Sequence, residues 1–147
     1  RLFQRVFLHM SQKQCVGQND VGAGMMKQVT VAIGADHRGF TLKNMLQASI
    51  THHDGITWLD VGAYDDERSD YPVFAAHVCK AIVEQKASCG VILCGTGVGM
   101  SIAANRFKGI YAGLAWNEEI ARLGKQDDNV NVLVIPADYV TPQHAVD

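Results

Sequence analysis

From residue 29 onward the chain alternates short, continuous apolar runs with longer amphipathic ones. VTVAI (29–33), TWLDV (57–61), GVILC (90–94), IYAGLAW (110–116) and NVLVI (131–135) read as buried β-strands. Between the first two, HRGFTLKNMLQASI (37–50) sets Phe40, Leu42, Met45, Leu46 and Ile50 at mostly helical spacing. Ser69 or Asp70 is expected to cap a second helix that carries Pro72 in its first turn and runs to about Gln85. A third helix follows from Val98 to Asn105. Asn117 caps EEIARLG, with acids in its first turn and Gly124 as its stop. Thr141 and Pro142 open a last helix, which the end of the sequence at Asp147 is expected to truncate.

Continuous apolar strands alternating with helices require a parallel sheet covered on both faces. The expected fold is a three-layer, Rossmann-like α/β domain with a five-stranded parallel sheet, spanning residues 27–147. In such sheets ligands bind beyond the carboxyl ends of the strands. That rule gathers GADH (34–37), GAYDDERSDY (62–71), CGTGVG (94–99), Trp116–Asn117 and PAD (136–138) on one edge.

A chain of 147 residues with 48% hydrophobic and 19% charged residues suits one globular core. The net charge of −2 gives no electrostatic case for nucleic acid or an anionic membrane. No apolar run has the length of a membrane-spanning helix. Cys15, Cys79, Cys89 and Cys94 form no CxxC pair and no zinc-type spacing with histidine, so free thiols in a reduced, cytoplasmic setting are expected. Residues 1–26 break the pattern and carry Arg1, Arg5 and Lys13 with no acid before Asp20; they read as an extension outside the fold, with Met25 or Met26 a natural start.

Candidate chemistry centres on VILCGTGVGMS (91–101). A cysteine is most often a small buried hydrophobe. Cys94 differs in standing at a strand end just before a helix start, where the dipole and local N–H groups are expected to lower a thiol's pKa. Cys79 and Cys89 lack that setting and read as packing residues. Gly95, Gly97 and Gly99 follow the third strand, not the first, which argues against a dinucleotide fingerprint and for a nest of donors around an oxyanion. Asp36–His37 is open to a capping role or to binding a hydroxyl or phosphate. Asp127–Asp128 reads as a charged loop, or as carboxylates at the active edge doing acid–base work or holding a cation.

Taken together, VAIGADHRGF, DERSDYP, CGTGVGMSIAANR and NVL resemble the ribose-5-phosphate isomerase B family, which includes the galactose-6-phosphate isomerase subunits; the resemblance covers about residues 29–135. It implies aldose–ketose isomerisation through a cis-enediolate, with no metal and no organic cofactor. It implies Cys94 as the base and the N–H groups of Gly95, Thr96, Gly97 and Gly99 as the anion hole. Asp36 would hold sugar hydroxyls and His37 the phosphate, and Tyr71 would line the ring-opening side. Asn105 falls within the motif among the substrate-side residues, with a structural role expected. A homodimer with shared sites, closing near Tyr71 and Asn105, is also implied.

The sequence departs from the family pattern at three places. Asp127, Asp128 and Asn129 stand where members usually carry HND, whose histidine assists ring opening; Asp127 therefore takes the catalytic position and Asp128 a substrate-binding one. Asp138 stands where an arginine usually follows the fifth strand, and the family's longer C-terminal helix is expected to be truncated. Ribose 5-phosphate is the expected substrate. The alternatives are another sugar, including an unphosphorylated one or a hexose, and a non-catalytic sugar-binding protein.

Overall fold

The computed structural model describes Arg5, Val6, Met10 and residues 28–146. The strands are β1 (Val29–Ala35), β2 (Ile56–Asp60), β3 (Cys89–Cys94), β4 (Ala112–Leu114) and β5 (Val132–Pro136). The α-helices are α1 (Phe40–Ser49), α2 (Tyr71–Val83), α3 (Val98–Ala104), α4 (Glu118–Asp128) and α5 (Pro142–Val146). All strand pairs are parallel, in the order β2-β1-β3-β5-β4. The chain winds from β1 to one side and then, through β3, to the other. The carboxyl ends of β1 and β3 therefore flank the topological switch point.

Every residue of β3 and β5 is buried, because both faces of the sheet are covered. Val31, Ile33, Val91, Leu93, Leu133 and Ile135 face one layer with Leu42 and Leu46 of α1 and Ala121 of α4. Ala32, Ile92, Val132 and Val134 face the other, with Val78 and Cys79 of α2 and Met100 of α3. This odd–even split is the two-residue period of a strand read through a double-sided core. Val6 and Met10 of the N-terminal segment are helical and buried in the first of these layers. That segment is expected to stay outside the fold; apart from exposed Arg5, its other residues, including Cys15, lie outside the described residues.

The elements expected from the pattern are present, with three informative shifts. Helix α1 starts at Phe40, not residue 37, because Asp36 Oδ1 accepts from the N–H groups of Arg38 (2.9 Å) and Gly39 (3.1 Å) and holds 37–39 as a turn. Of the two expected caps on α2, Asp70 is the N-cap, though without a side-chain bond, and Ser69 is used elsewhere. Helix α4 runs through Gly124 to Asp128 and stops at Asn129, which takes the left-handed conformation at φ 54°. Asp127 and Asp128 are therefore helical, not loop residues.

Candidate functional site

Cys94 ends β3 and is only 5% exposed. The next residues reverse into α3 with Gly97 at φ 76°, a conformation that favours glycine. A Cβ there would also strike Leu114. The turn closes around sulfur: the Gly97 N–H donates to Sγ at 3.2 Å, and the N–H groups of Thr96 and Met100 also stabilise it. The expectation of a lowered thiol pKa fails on balance. Burial pushes the thiol up most strongly; the N–H groups of Met100, Gly97 and Thr96 pull it down, Asp36 adds an upward push, and the sum is raised. Cys94 rests as a thiol whose thiolate already has its donors in place.

Three neighbours gather at this edge. Asp36 is 5% exposed and its backbone N–H donates to Leu93 O at 3.1 Å, tying the end of β1 to β3. His37 and Ser69 bond reciprocally: His37 N–H to Ser69 Oγ at 3.1 Å, and Ser69 N–H to His37 Nδ1 at 3.2 Å. An accepting Nδ1 places the proton of the neutral ring on Nε2. Tyr71 lies over the glycine turn: a Cβ on Gly99 would stand 2.5 Å from its Cζ and 2.9 Å from its hydroxyl oxygen. Gly99 thus lets the phenol reach the turn. Exposed Thr96 uses its Oγ1 to accept from Val98 N–H at 3.3 Å.

Other expected residues are not brought here within one chain. Helix α4 returns antiparallel to the strands, so Asp127 and Asp128 end near the strand starts and not at the active edge. The adjacent bond from Asn131 N–H to Tyr111 O, 3.0 Å, marks that opposite edge. Asn105 also lies there. Its Nδ2 donates to Ser101 O (3.0 Å) and Ala112 O (2.9 Å), and its Oδ1 accepts from Ala112 N–H (2.8 Å). These bonds pin the end of α3 to β4; they describe the structural role, not a substrate contact. Asp138 does reach the active edge, where it pairs with Arg38.

The structure adds residues the sequence reading missed. Met100 contributes an N–H to Cys94, and Ser69 locks His37. Lys43, only 1% exposed, donates to both carboxylate oxygens of Asp60 (2.8 and 2.9 Å) and to Ala63 O (2.5 Å). Phe40 and Tyr64 flank its ammonium, at 5.7 and 5.5 Å from the ring centres. A lysine at a buried helix position was the available signal. Among the described residues, no three His, Cys, Asp or Glu side chains group as metal ligands, and no helix is long and apolar enough to cross a membrane.

The family model described as Ribose/Galactose Isomerase matches residues 31–147. The chain is 41% identical over 103 residues to ribose-5-phosphate isomerase B of Escherichia coli K12, covering 70% of this chain and 68% of that one. A crystal structure of a ribose 5-phosphate isomerase from Thermotoga maritima superposes with TM-score 0.76 at 41% identity, covering 80% of each chain. Ribose-5-phosphate isomerase B from Mycoplasma genitalium, solved with bound ribulose 5-phosphate, superposes with TM-score 0.75 at 34% identity, covering 82% of this chain and 80% of that one.

Proposed function

The chain belongs to the ribose/galactose isomerase family, and from that membership we propose that it interconverts ribose 5-phosphate and ribulose 5-phosphate through a cis-enediolate. The observation that carries the proposal is the Cys94 sulfur, set at the switch point inside a ring of backbone donors. The thiolate removes the C2 proton of the open-chain aldose. The S–H bond forms, the C2–H electron pair becomes the C1–C2 double bond, and charge collects on O1. Return of the proton to C1, with transfer of the O2 proton to O1, leaves the ketose. Charge thus moves from sulfur to substrate oxygen, and in the proposed mechanism the N–H groups of Thr96 and Gly97, which stabilise the sulfur, follow it together with those of Gly95 and Gly99.

Asp36 holds sugar hydroxyls, His37 offers its Nε2 proton to the phosphate, and Tyr71 screens the ring-opening side. Asp127 and Asp128 reach a substrate only from a neighbouring chain. A homodimer is supported by α3, whose outer face exposes Val98 (53%) and Ile102 (57%) one helical turn apart, along the line from Tyr71 to Asn105. Sedimentation at assay concentration is expected to show a dimer, and an active monomer would contradict it. The free, buried thiols Cys79, Cys89 and Cys94 favour a reducing, cytoplasmic setting.

The functional test is a panel of phosphorylated and free pentoses and hexoses. Turnover of ribose 5-phosphate above all others is the expected result. Preference for a free sugar, or no turnover of any sugar, would overturn the reading.

A further inference from the structure

We propose that Arg38 is the receptor for the anionic end of the substrate and that Asp138 is its built-in competitor; this rests on the sugar-phosphate reading above. The turn capped by Asp36 sends the Arg38 side chain across the strand end, against Gly95. A Cβ on Gly95 would stand 2.5 Å from Arg38 Cζ, 2.6 Å from Nε and 2.7 Å from Nη1. The guanidinium therefore lies on bare backbone beside the turn that follows Cys94, a position that a side chain at 95 would deny it.

Asp138 arrives from the other side of the switch point. Ala137 N–H donates to Cys94 O at 2.9 Å and Asp138 N–H to Gly95 O at 3.0 Å, so the backbone after β5 continues alongside 94–95. From there the Asp138 carboxylate pairs with Arg38 Nη2. The two side chains are 54% and 32% exposed, and an exposed ion pair is weak and open to exchange.

The competition decides specificity. A guanidinium presents a planar fork that matches phosphate through two bonds, and a phosphate dianion brings more charge and more acceptors than one carboxylate. It can take Arg38 from Asp138; the neutral end of a free sugar cannot. Asp138 also repels any anion that fails to capture the arginine. The pair thus sets a threshold that a phosphorylated sugar passes and an unphosphorylated one does not.

The test measures inorganic phosphate binding by titration calorimetry, and KM for ribose 5-phosphate, in wild type, Asp138→Asn, Arg38→Met, Arg38→Lys and the Arg38→Met/Asp138→Asn pair. Asp138→Asn is expected to tighten phosphate about tenfold and to lower KM more than it changes kcat. Arg38→Met is expected to weaken phosphate about tenfold or more, the double variant to follow Arg38→Met, and Arg38→Lys to fall between, with charge but no fork. Phosphate binding that is absent in wild type, or equal across the variants, would overturn the proposal. Binding is read without turnover, so the two readings fail separately. The predicted phosphate pattern without isomerisation contradicts only the assigned activity; isomerisation with unchanged phosphate binding contradicts only the role of Arg38.

Discussion

A thiol takes a carbon-bound proton only as thiolate, and at Cys94 burial opposes that state more than the N–H groups of Met100, Gly97 and Thr96 support it. With the pKa raised, the reactive fraction is small at neutral pH and grows as pH rises. The expected kcat/KM therefore climbs close to tenfold per pH unit on the neutral side and is still climbing at pH 9.0, the ordinary thiol value. A profile that levels off below about pH 7 would show a thiol lowered instead. The residues gathered at this edge were largely readable beforehand: a cysteine at a strand end, glycines after it, and Asp36, His37 and Tyr71 on the same edge. The direction of the pKa shift was not, because it depends on how much water the packed turn excludes. Ser69 and Met100 were also hidden. Ser69 looked like a helix cap until His37, 32 positions away, claimed it.

The strands and helices follow from periodicity, but the turns that aim side chains follow from single polar contacts. Asp36 delays the start of α1 by binding two N–H groups, and that delay fans His37 and Arg38 around the strand end. Lys43 performs the corresponding task from within α1. It grips Asp60 and Ala63, while residues 62 and 63 bond in both directions to Ala35, each at 2.7 Å, just before Asp36. The same segment continues to Ser69 and Tyr71. Removing one partner of a buried ion pair leaves the other uncompensated, at a typical cost of about 3–5 kcal/mol; the 29% exposure of Asp60 moves the expectation for Lys43→Met to about 2–3 kcal/mol. Chemical denaturation measures it. Adding Asp60→Leu is expected to recover part of the loss, and a Lys43→Met variant as stable as wild type would remove the anchor from this account. The error at Gly124 has a similar origin. A glycine reads as a helix stop, yet here it lies beneath Val130, where a Cβ would stand 3.3 Å from a Val130 methyl, and Asn129 takes the left-handed turn instead.

Across the whole molecule, strand order decides what becomes a site, and periodicity did not reveal it. The order β2-β1-β3-β5-β4 joins Asp36, Cys94 and Asp138 across 102 positions of sequence, while the antiparallel return of α4 carries Asp127 and Asp128 to the far edge. Burying thiols on both faces of the sheet has a global consequence. Burial raises Cys79 to about 11 and Cys89 to about 12, against an ordinary value of 9.0. Below 9.0 both folded and unfolded thiols are protonated and nothing is lost; above it the unfolded chain ionises first. Unfolding free energy is therefore expected to fall with rising pH from 9.0 toward 11, by roughly 1 kcal/mol per pH unit for each thiol, and Cys79→Ala is expected to flatten that slope. Denaturant melts across this range check it, and a flat wild-type profile would contradict the burial of these groups. The proposed mechanism rests on one proton transfer at the Cys94 sulfur, and its most direct measurement is ribose 5-phosphate isomerisation in deuterium oxide by wild type and Cys94→Ala, with circular dichroism confirming that both are folded. The account predicts ketose formation with deuterium entering at the exchanged carbon in wild type, and a loss of at least about 10²-fold in rate in Cys94→Ala; a folded Cys94→Ala enzyme that isomerises the sugar at the wild-type rate would contradict it.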